Sequence, residues 1–344
     1  MNVTRSQDSS GQGTSAASAP YPQSKAPRGR FEEDGPVLVG ACWKARFADG
    51  RLVSWVADGA ELLDRPPRLE LWRAPTDNDR GGPLVPSMAA EWERAGLHRL
   101  MTRVERLKMA ESEGRVDVET RSAPAGQAWG IRCSWTYCFA ADGRLALVIQ
   151  GRPEGEAPTT FGRIGLAMAL VGEFKEVSWY GLGPHETYPD SMSAGRVGRY
   201  CFSVDEMETP YVVPQENGHR SETRWCQLSD GRRALLVVGA PRFGFSVHRW
   251  STAALAAARH RDELVPEPCL WLQLDHRQHG LGSASCGPGP LEKHLLRSGP
   301  FRFALGFRRL THAPADPGPA ARDLAAWLGE IADRPETAAG QPGA

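Results

Sequence analysis

Arginine, aspartate and asparagine crowd residues 71–82 (LWRAPTDNDRGG), where Arg73, Asp77, Asn78, Asp79 and Arg80 follow an apolar run ending at Leu71 and Trp72. Charge this dense, in a loop punctuated by proline and glycine, does not read as core. A stiff loop presenting carboxylates, an amide and guanidiniums can hold a polar ligand or tie down a neighbouring domain. Three more stretches have this character. Residues 179–191 (WYGLGPHETYPDS) break from a strand into a Gly-Pro loop with His185, Glu186, Tyr188 and Asp190. Residues 209–225 (TPYVVPQENGHRSETRW) place Glu216, Asn217 and His219 behind two prolines, and residues 274–290 (LDHRQHGLGSASCGPGP) end in a small-residue loop with Ser285 and Cys286.

Taken singly, each is an ordinary polar turn, and His185 or His219 is satisfied by a loop carbonyl. His276 and His279 are three apart at a strand end, so they diverge and make a poor metal pair. Jointly, four constrained polar loops are suited to line one edge or concave face for a polyhydroxylated ligand. Carboxylates and amides would meet hydroxyls, and Trp72, Trp179 and Tyr188 would meet the apolar side of a sugar ring.

These loops hang on a chain of 344 residues, 41% hydrophobic and 24% charged. Lys+Arg and Asp+Glu both number 41, which argues against a nucleic-acid or membrane-surface partner. The basic residues are nearly all arginine, with lysine only at Lys25, Lys44, Lys108, Lys175 and Lys293. Seven scattered cysteines without CxxC spacing predict reduced thiols in a cytoplasmic protein rather than a zinc site or a disulfide framework. Cys133 and Cys138, five apart in a strand, face opposite sides of a sheet. No apolar run approaches the ~20 residues of a membrane span, and the first residues lack the apolar core of a secretory signal.

Residues 1–35 are rich in Ser, Gly, Ala, Pro and Gln and predict a disordered leader, with structure starting near Pro36. From there strand signals dominate. Asp-Gly turns at Asp49-Gly50, Asp58-Gly59 and Asp142-Gly143 separate β-rich runs and predict antiparallel meanders. Further strands are expected near 115–121, 130–140, 144–151, 164–171, 176–180, 198–204, 234–239, 243–249, 269–275 and 301–310. Short helices are expected over 87–95, capped by Ser87 and Gly96, and over 251–260. A dozen or more strands with so few helices predict an all-β fold of two large stacked antiparallel sheets over residues 36–310. Residues 311–344 read as linker, a helix over 316–334 carrying Leu324, Trp327, Leu328 and Ile331, and a disordered tail.

The four motifs LWRAPTDNDRG, WYGLGPHETYPDS, TPYVVPQENGHRSETRW and SASCGP resemble the C-terminal domain of family 2 β-galactosidases, which also occurs as a separate small chain. The likeness runs in order from about Pro36 to Leu310. It implies a galactose mutarotase-like supersandwich and a retaining β-galactosidase, whose two carboxyl groups lie about 5–5.5 Å apart. It further implies that those glutamates and the Mg2+ ligands sit on a separate (β/α)8 barrel of about 250 residues. This chain has nowhere to put one, so Glu186 and Glu216 are not expected to be catalytic. No cofactor is expected on this chain, and the expected partners are a large chain or barrel domain and a β-galactoside. The loop around Ser285 and Cys286 is expected at the sugar pocket, with Cys286 where some members carry tryptophan. Arg73, Asp77, Asn78, Asp79 and Arg80 are expected to brace the barrel junction, in a setting of lactose catabolism. Two other readings follow: an orphan carbohydrate-binding domain, or a mutarotase-like epimerase using His185 with Glu216 as an acid/base pair.

Overall fold

Strands of this chain bury alternate side chains and pair with their neighbours in sequence. In this computed structural model residues 26–82, 85–172 and 174–334 are described. A five-stranded meander comes first: β1 (Arg28–Glu32), β2 (Gly35–Val39), β3 (Trp43–Ala48), β4 (Arg51–Ala57) and β5 (Ala60–Glu61). Asp49-Gly50 and Asp58-Gly59 both take positive φ (47°, 68°, 51° and 73°), the twist that two-residue hairpins require.

The second sheet has twelve strands: β6 (Leu63–Glu70), β7 (Leu100–Ala110), β8 (Arg115–Pro124), β9 (Gly130–Phe139), β10 (Leu145–Glu154) and β11 (Arg163–Leu170) come from the first half. The second half adds β12 (Glu176–Gly183), β13 (Arg196–Ser203), β14 (Arg220–Ser229), β15 (Ala234–His248), β16 (Leu270–Gln278) and β17 (Phe301–Leu310). The order runs β13-β12-β14-β15-β17-β10-β9-β8-β7, and β16, β11 and β6 join as a second branch at β15. The fork lies within one long strand. Residues 234–240 of β15 pair with β17, whereas residues 244–248 pair with β16. All named strand pairings are antiparallel.

The meander lies over β9 and β17. Trp43 stacks on Phe139 at 4.9 Å, Phe47 meets Tyr137 edge-on at 5.0 Å, and Trp55 meets Phe307 edge-on at 6.1 Å. Each such pair adds roughly 0.5–1.5 kcal/mol beyond area burial. Cys133 joins this inner core and Cys138 the outer one, so the two thiols do face opposite sides of β9.

Three strands depart from the expected pattern: the central β14 forms where a polar loop is expected, and the other two lie at sheet edges. β1 lies inside the stretch expected to be a disordered leader, paired with β2 from Arg28↔Val39 to Glu32↔Gly35, while residues 1–25 lie outside the described residues. β7 lies where no strand was signalled. Both are edge strands with mostly exposed side chains, Phe31 being 60% exposed. They are held by backbone pairing to a single neighbour, so hydrophobic periodicity does not mark them.

Among the described residues four α-helices interrupt the sheets: α1 (Asp77–Arg80), α2 (Met88–Ala95), α3 (Thr252–Ala257) and α4 (Gly318–Ala332). Ser87 caps α2 by accepting from the Ala90 N–H at 3.1 Å, and Gly96 ends it at φ 76°. α3 is shorter than expected, stopping where Ala258 turns to an extended ψ of 134°. α4 does not stand apart as a separate unit. Ala321, Leu324 and Leu328 pack against Ala146, Val238 and Ala304 on the outer face of β10, β15 and β17, and Arg144 lies 5.0 Å from the centre of the Trp327 ring. Residues 335–344 lie outside the described residues.

Candidate functional site

The four polar stretches meet at one end of the sheets. Residues 71–82 leave β6 and close into the single turn of α1 through a capping box: Thr76 Oγ1 accepts from the Asp79 N–H at 3.1 Å, and Asp79 Oδ2 accepts from the Thr76 N–H at 2.9 Å. That turn aims Asp79 at Arg73. Arg73 Nε and Nη2 donate to its two oxygens at 3.0 and 2.7 Å, while Nη1 donates to the His279 carbonyl at 2.6 Å and to Gln278 Oε1 at 3.3 Å. Nη2 also donates to the Gly280 carbonyl at 2.9 Å, and the guanidinium lies 5.5 Å from the Trp92 ring. All five N–H groups of a side chain with no solvent exposure are used within this chain.

The structure places Arg73 and Asp79, expected at the barrel junction, inside this chain. They are internal scaffold, fully buried and saturated by residues of this chain. Asn78 works inside too: Nδ2 donates to the Gly282 carbonyl at 2.9 Å, and Oδ1 accepts from the Ser285 N–H at 3.2 Å and Ser285 Oγ at 2.8 Å. Asn78→Ala is expected to loosen residues 282–286 by about 1–2 kcal/mol of local stability while leaving the sheets intact, read as faster amide exchange confined to that loop. Asp77 and Arg80 stay exposed, although Asp77 Oδ2 accepts from Gln215 Nε2 at 3.2 Å.

The other loops interlock likewise. Asp190 Oδ2 accepts from the Gly282 N–H at 2.7 Å. Glu186 accepts from the Gly218 N–H at 2.7 Å and from Thr209 Oγ1 at 2.8 Å. Asn217 is buried, its Oδ1 accepting from the Thr209 N–H and its Nδ2 donating to the Gln215 carbonyl. Ser285 and Cys286 are exposed. His185 is also exposed, whereas Glu216 is 4% exposed and engaged elsewhere, so the acid/base pair expected of His185 and Glu216 is not formed.

Glu216 belongs to a buried centre that sequence reasoning did not assemble. Arg163 Nη2 donates to Glu216 Oε2 at 2.5 Å, and Gln278 Nε2 and Tyr188 Oη donate to Oε1 at 3.2 and 3.4 Å. Asp275 Oδ1 lies 3.8 Å from Arg163 Nε, and its Oδ2 lies 3.3 Å from His219 Nδ1, whose ring sits 5.4 Å from that of Tyr188. Burial pushes the Glu216 carboxyl above its ordinary range, with Arg163 opposing and Asp275 adding. The Tyr188 hydroxyl rises well above its own through burial and then the Glu216 charge. Burial works against charge on Arg163, yet Asp275 and Glu216 more than offset it and hold the guanidinium above its ordinary value. The only sequence signal for Arg163 is an arginine opening an otherwise apolar strand; its partners lie 53 and more residues away.

Among the described residues no group of three or more His, Cys, Asp or Glu is set to hold a metal ion. Among the described residues no helix is long and apolar enough to cross a membrane. The arrangement is a rigid polar loop edge resting on a buried ion-pair network, at the end of a forked antiparallel β fold with no barrel among its described residues.

The β-galactosidase small-chain family profile matches residues 40–307, and the chain belongs to that family. It is 38% identical over 285 residues to a β-galactosidase of Arthrobacter sp. (strain B7), covering 76% of this chain and 27% of that protein. It is 34% identical over 300 residues to a β-galactosidase of Vibrio cholerae serotype O1, covering 84% and 29%. The chain thus spans little more than a quarter of the length of these curated relatives. Among solved structures, a galactose 1-epimerase from Lactobacillus acidophilus NCFM aligns at a TM-score of 0.45 with 7% identity, over 85% of this chain and 99% of that one. That likeness is loose.

Proposed function

We propose that this chain is the small-chain module of a β-galactosidase, which shapes one wall of the sugar pocket and braces a barrel-bearing partner. The observation that carries this reading is the loop edge. Its interior is locked by Arg73, Asn78 and Asp190, while its outside presents Asp77, Arg80, His185, Ser285 and Cys286. Beside them, Tyr211, Val212 and Val213 are 38, 84 and 40% exposed, an apolar strip that suits docking. On this reading the glutamate pair that hydrolyses terminal β-D-galactosides with retention, and any magnesium ligands, reside in the partner. Ser285 and Cys286 then face the aglycone side of its pocket. All seven cysteines are free thiols, in keeping with the cytoplasmic setting proposed here.

Complementation tests the reading. The chain alone is expected to leave a nitrophenyl β-galactoside intact, and mixing it with the separately produced barrel-bearing part of a β-galactosidase of this family is expected to restore hydrolysis. Val212→Asp should weaken that rescue by about tenfold or more, because a charge is desolvated in a docked apolar strip, with an unchanged melting temperature. Hydrolysis by the chain alone would remove the need for a partner, and full rescue by Val212→Asp would move the interface elsewhere.

A further inference from the structure

The buried centre has a second side, which opens into a cavity of about 320 Å3. Buried His219, Asp275 and Gln278 form its inner wall, Phe243 and Leu295 give it an apolar side, and exposed Glu222 and Arg242 stand at its rim. Glycines make room for this wall. Asp275 in β16 lies between Gly165 of β11 and Gly244 of β15, its register partners on either side. A Cβ at Gly165 would stand 2.2 Å from Asp275 Oδ1, and one at Gly244 would stand 2.2 Å from His219 Cε1 and Nε2. Any other residue at either position would fill the space these polar groups occupy.

The wall is also incompletely satisfied. In this wall Asp275 Oδ1 and His219 Nδ1 are buried without a hydrogen-bond partner, as are Nε and Nη1 of Arg163, which pairs with Asp275 but does not line the cavity. Native interiors ordinarily match such groups with protein, water or ligand. At the rim, Glu222 holds φ at 54° inside a strand, a conformation that side chains adopt where surroundings enforce it and that concentrates at ligand sites. Its carboxylate pairs with Arg242 at 2.8 Å.

The chemistry of the ligand follows from this wall. Imidazole, carboxylate and amide groups offer both donors and acceptors to hydroxyls, and Phe243 offers an apolar face to ring C–H groups. Asp275 is matched by Arg163 and Glu222 by Arg242, and the further cationic lining groups, Arg277 and Lys293, are exposed, so the buried inner wall offers hydrogen bonds more than net charge. That favours a neutral polyol over a phosphate. The volume lies at the low end of the roughly 300–1,000 Å3 of small-molecule sites, room for one sugar ring.

We propose that this cavity binds a single neutral monosaccharide, oriented by His219 and Asp275 against Phe243, and that it does so in this chain without any partner. Saturation-transfer NMR on the full chain alone, with D-galactose, D-glucose and galactose 6-phosphate as probes, tests it. A saturable signal is expected from at least one neutral hexose, with the phosphate binding no tighter. Leu295→Trp, which fills the cavity from a half-buried wall position, should cut that signal at least about fivefold, and so should Arg242→Ala at the exposed rim. Both variants should melt within a few degrees of the parent. No saturable signal from either neutral hexose, a signal unchanged by Leu295→Trp, or tighter binding of the phosphate would each overturn the assignment. Because no partner is present, failure of complementation leaves this result standing, and the converse also holds.

Discussion

Arg73→Ala is expected to lower the unfolding free energy of the chain by about 3–5 kcal/mol, the usual cost of removing one member of a buried ion pair. The reason is the completeness of its contacts. Removal would leave Asp79 buried with only the Thr76 N–H, would free the His279 carbonyl, and would leave the Gly280 carbonyl with only the His279 ring nitrogen. It would also take away the cation beside Trp92. Arg73→Lys should recover little, because one ammonium with three donors cannot reach five acceptors spread around a planar fork. Arg80→Ala, seven residues on and exposed, should stay within about 0.5 kcal/mol of the parent. Urea unfolding of the three variants at neutral pH checks this. If Arg73→Ala unfolds like the parent and only complementation suffers, residues 71–82 serve a partner domain after all.

Acid should destabilise the chain through His248, well above the pH at which ordinary carboxylates titrate. Burial pushes this imidazole down to about 4 from its ordinary 6.5; a hydrogen bond with the Asn217 carbonyl opposes, and Arg163 and Arg220 add to the shift. Protonated at Nε2, the neutral ring donates to the Asn217 carbonyl at 3.1 Å. Below 6.5 the unfolded chain takes up a proton that the folded chain refuses until about 4. Stability from this group is therefore complete above pH 6.5 and is lost as pH falls through that window. The loss is about 1.4 kcal/mol per pH unit, roughly 3 kcal/mol in all. Burial holds His276 down to about 4 as well, whereas the raised Glu216 and Glu70 carboxyls act in the opposite sense. A difference measurement isolates His248. The pH slope of the parent between 6.5 and 4 should exceed that of His248→Gln by about 1.4 kcal/mol per unit, and equal slopes would show that the ring is protonated in the folded state.

Arg73 and Glu216 illustrate how much of the site is legible in the sequence. The motif around Arg73 stood out because its charges are adjacent in sequence, and the loops with which it was grouped do meet it in space. Its partners within the chain are not legible there. Five acceptors for one guanidinium, three of them around residues 278–280, cannot be inferred from the 12 letters of LWRAPTDNDRGG. His185 and Glu216 each lie in a conspicuous loop, which suggests a pair, yet one faces solvent and the other pairs with Arg163 from β11. Arg163 is not legible at all, since an arginine at the head of an apolar strand carries no local mark of being wholly buried.

What the sequence determined by itself is local. Period-two burial specified most strands, Asp-Gly pairs specified the hairpins, Ser87 and Gly96 bounded α2, and four ordered motifs identified the family. These depend on φ preferences, capping hydrogen bonds and side-chain alternation, all set within a few residues. Tertiary structure alone decided the rest. It forked the large sheet within β15, held the exposed edge strands β1 and β7 by backbone pairing, and laid α4 on the outer face. It also set Asp275 between Gly165 and Gly244, with His219 and Arg163 around it. Those contacts join residues tens to hundreds of positions apart, and their free energy exists only once burial has lowered the local dielectric and removed water as the competing partner.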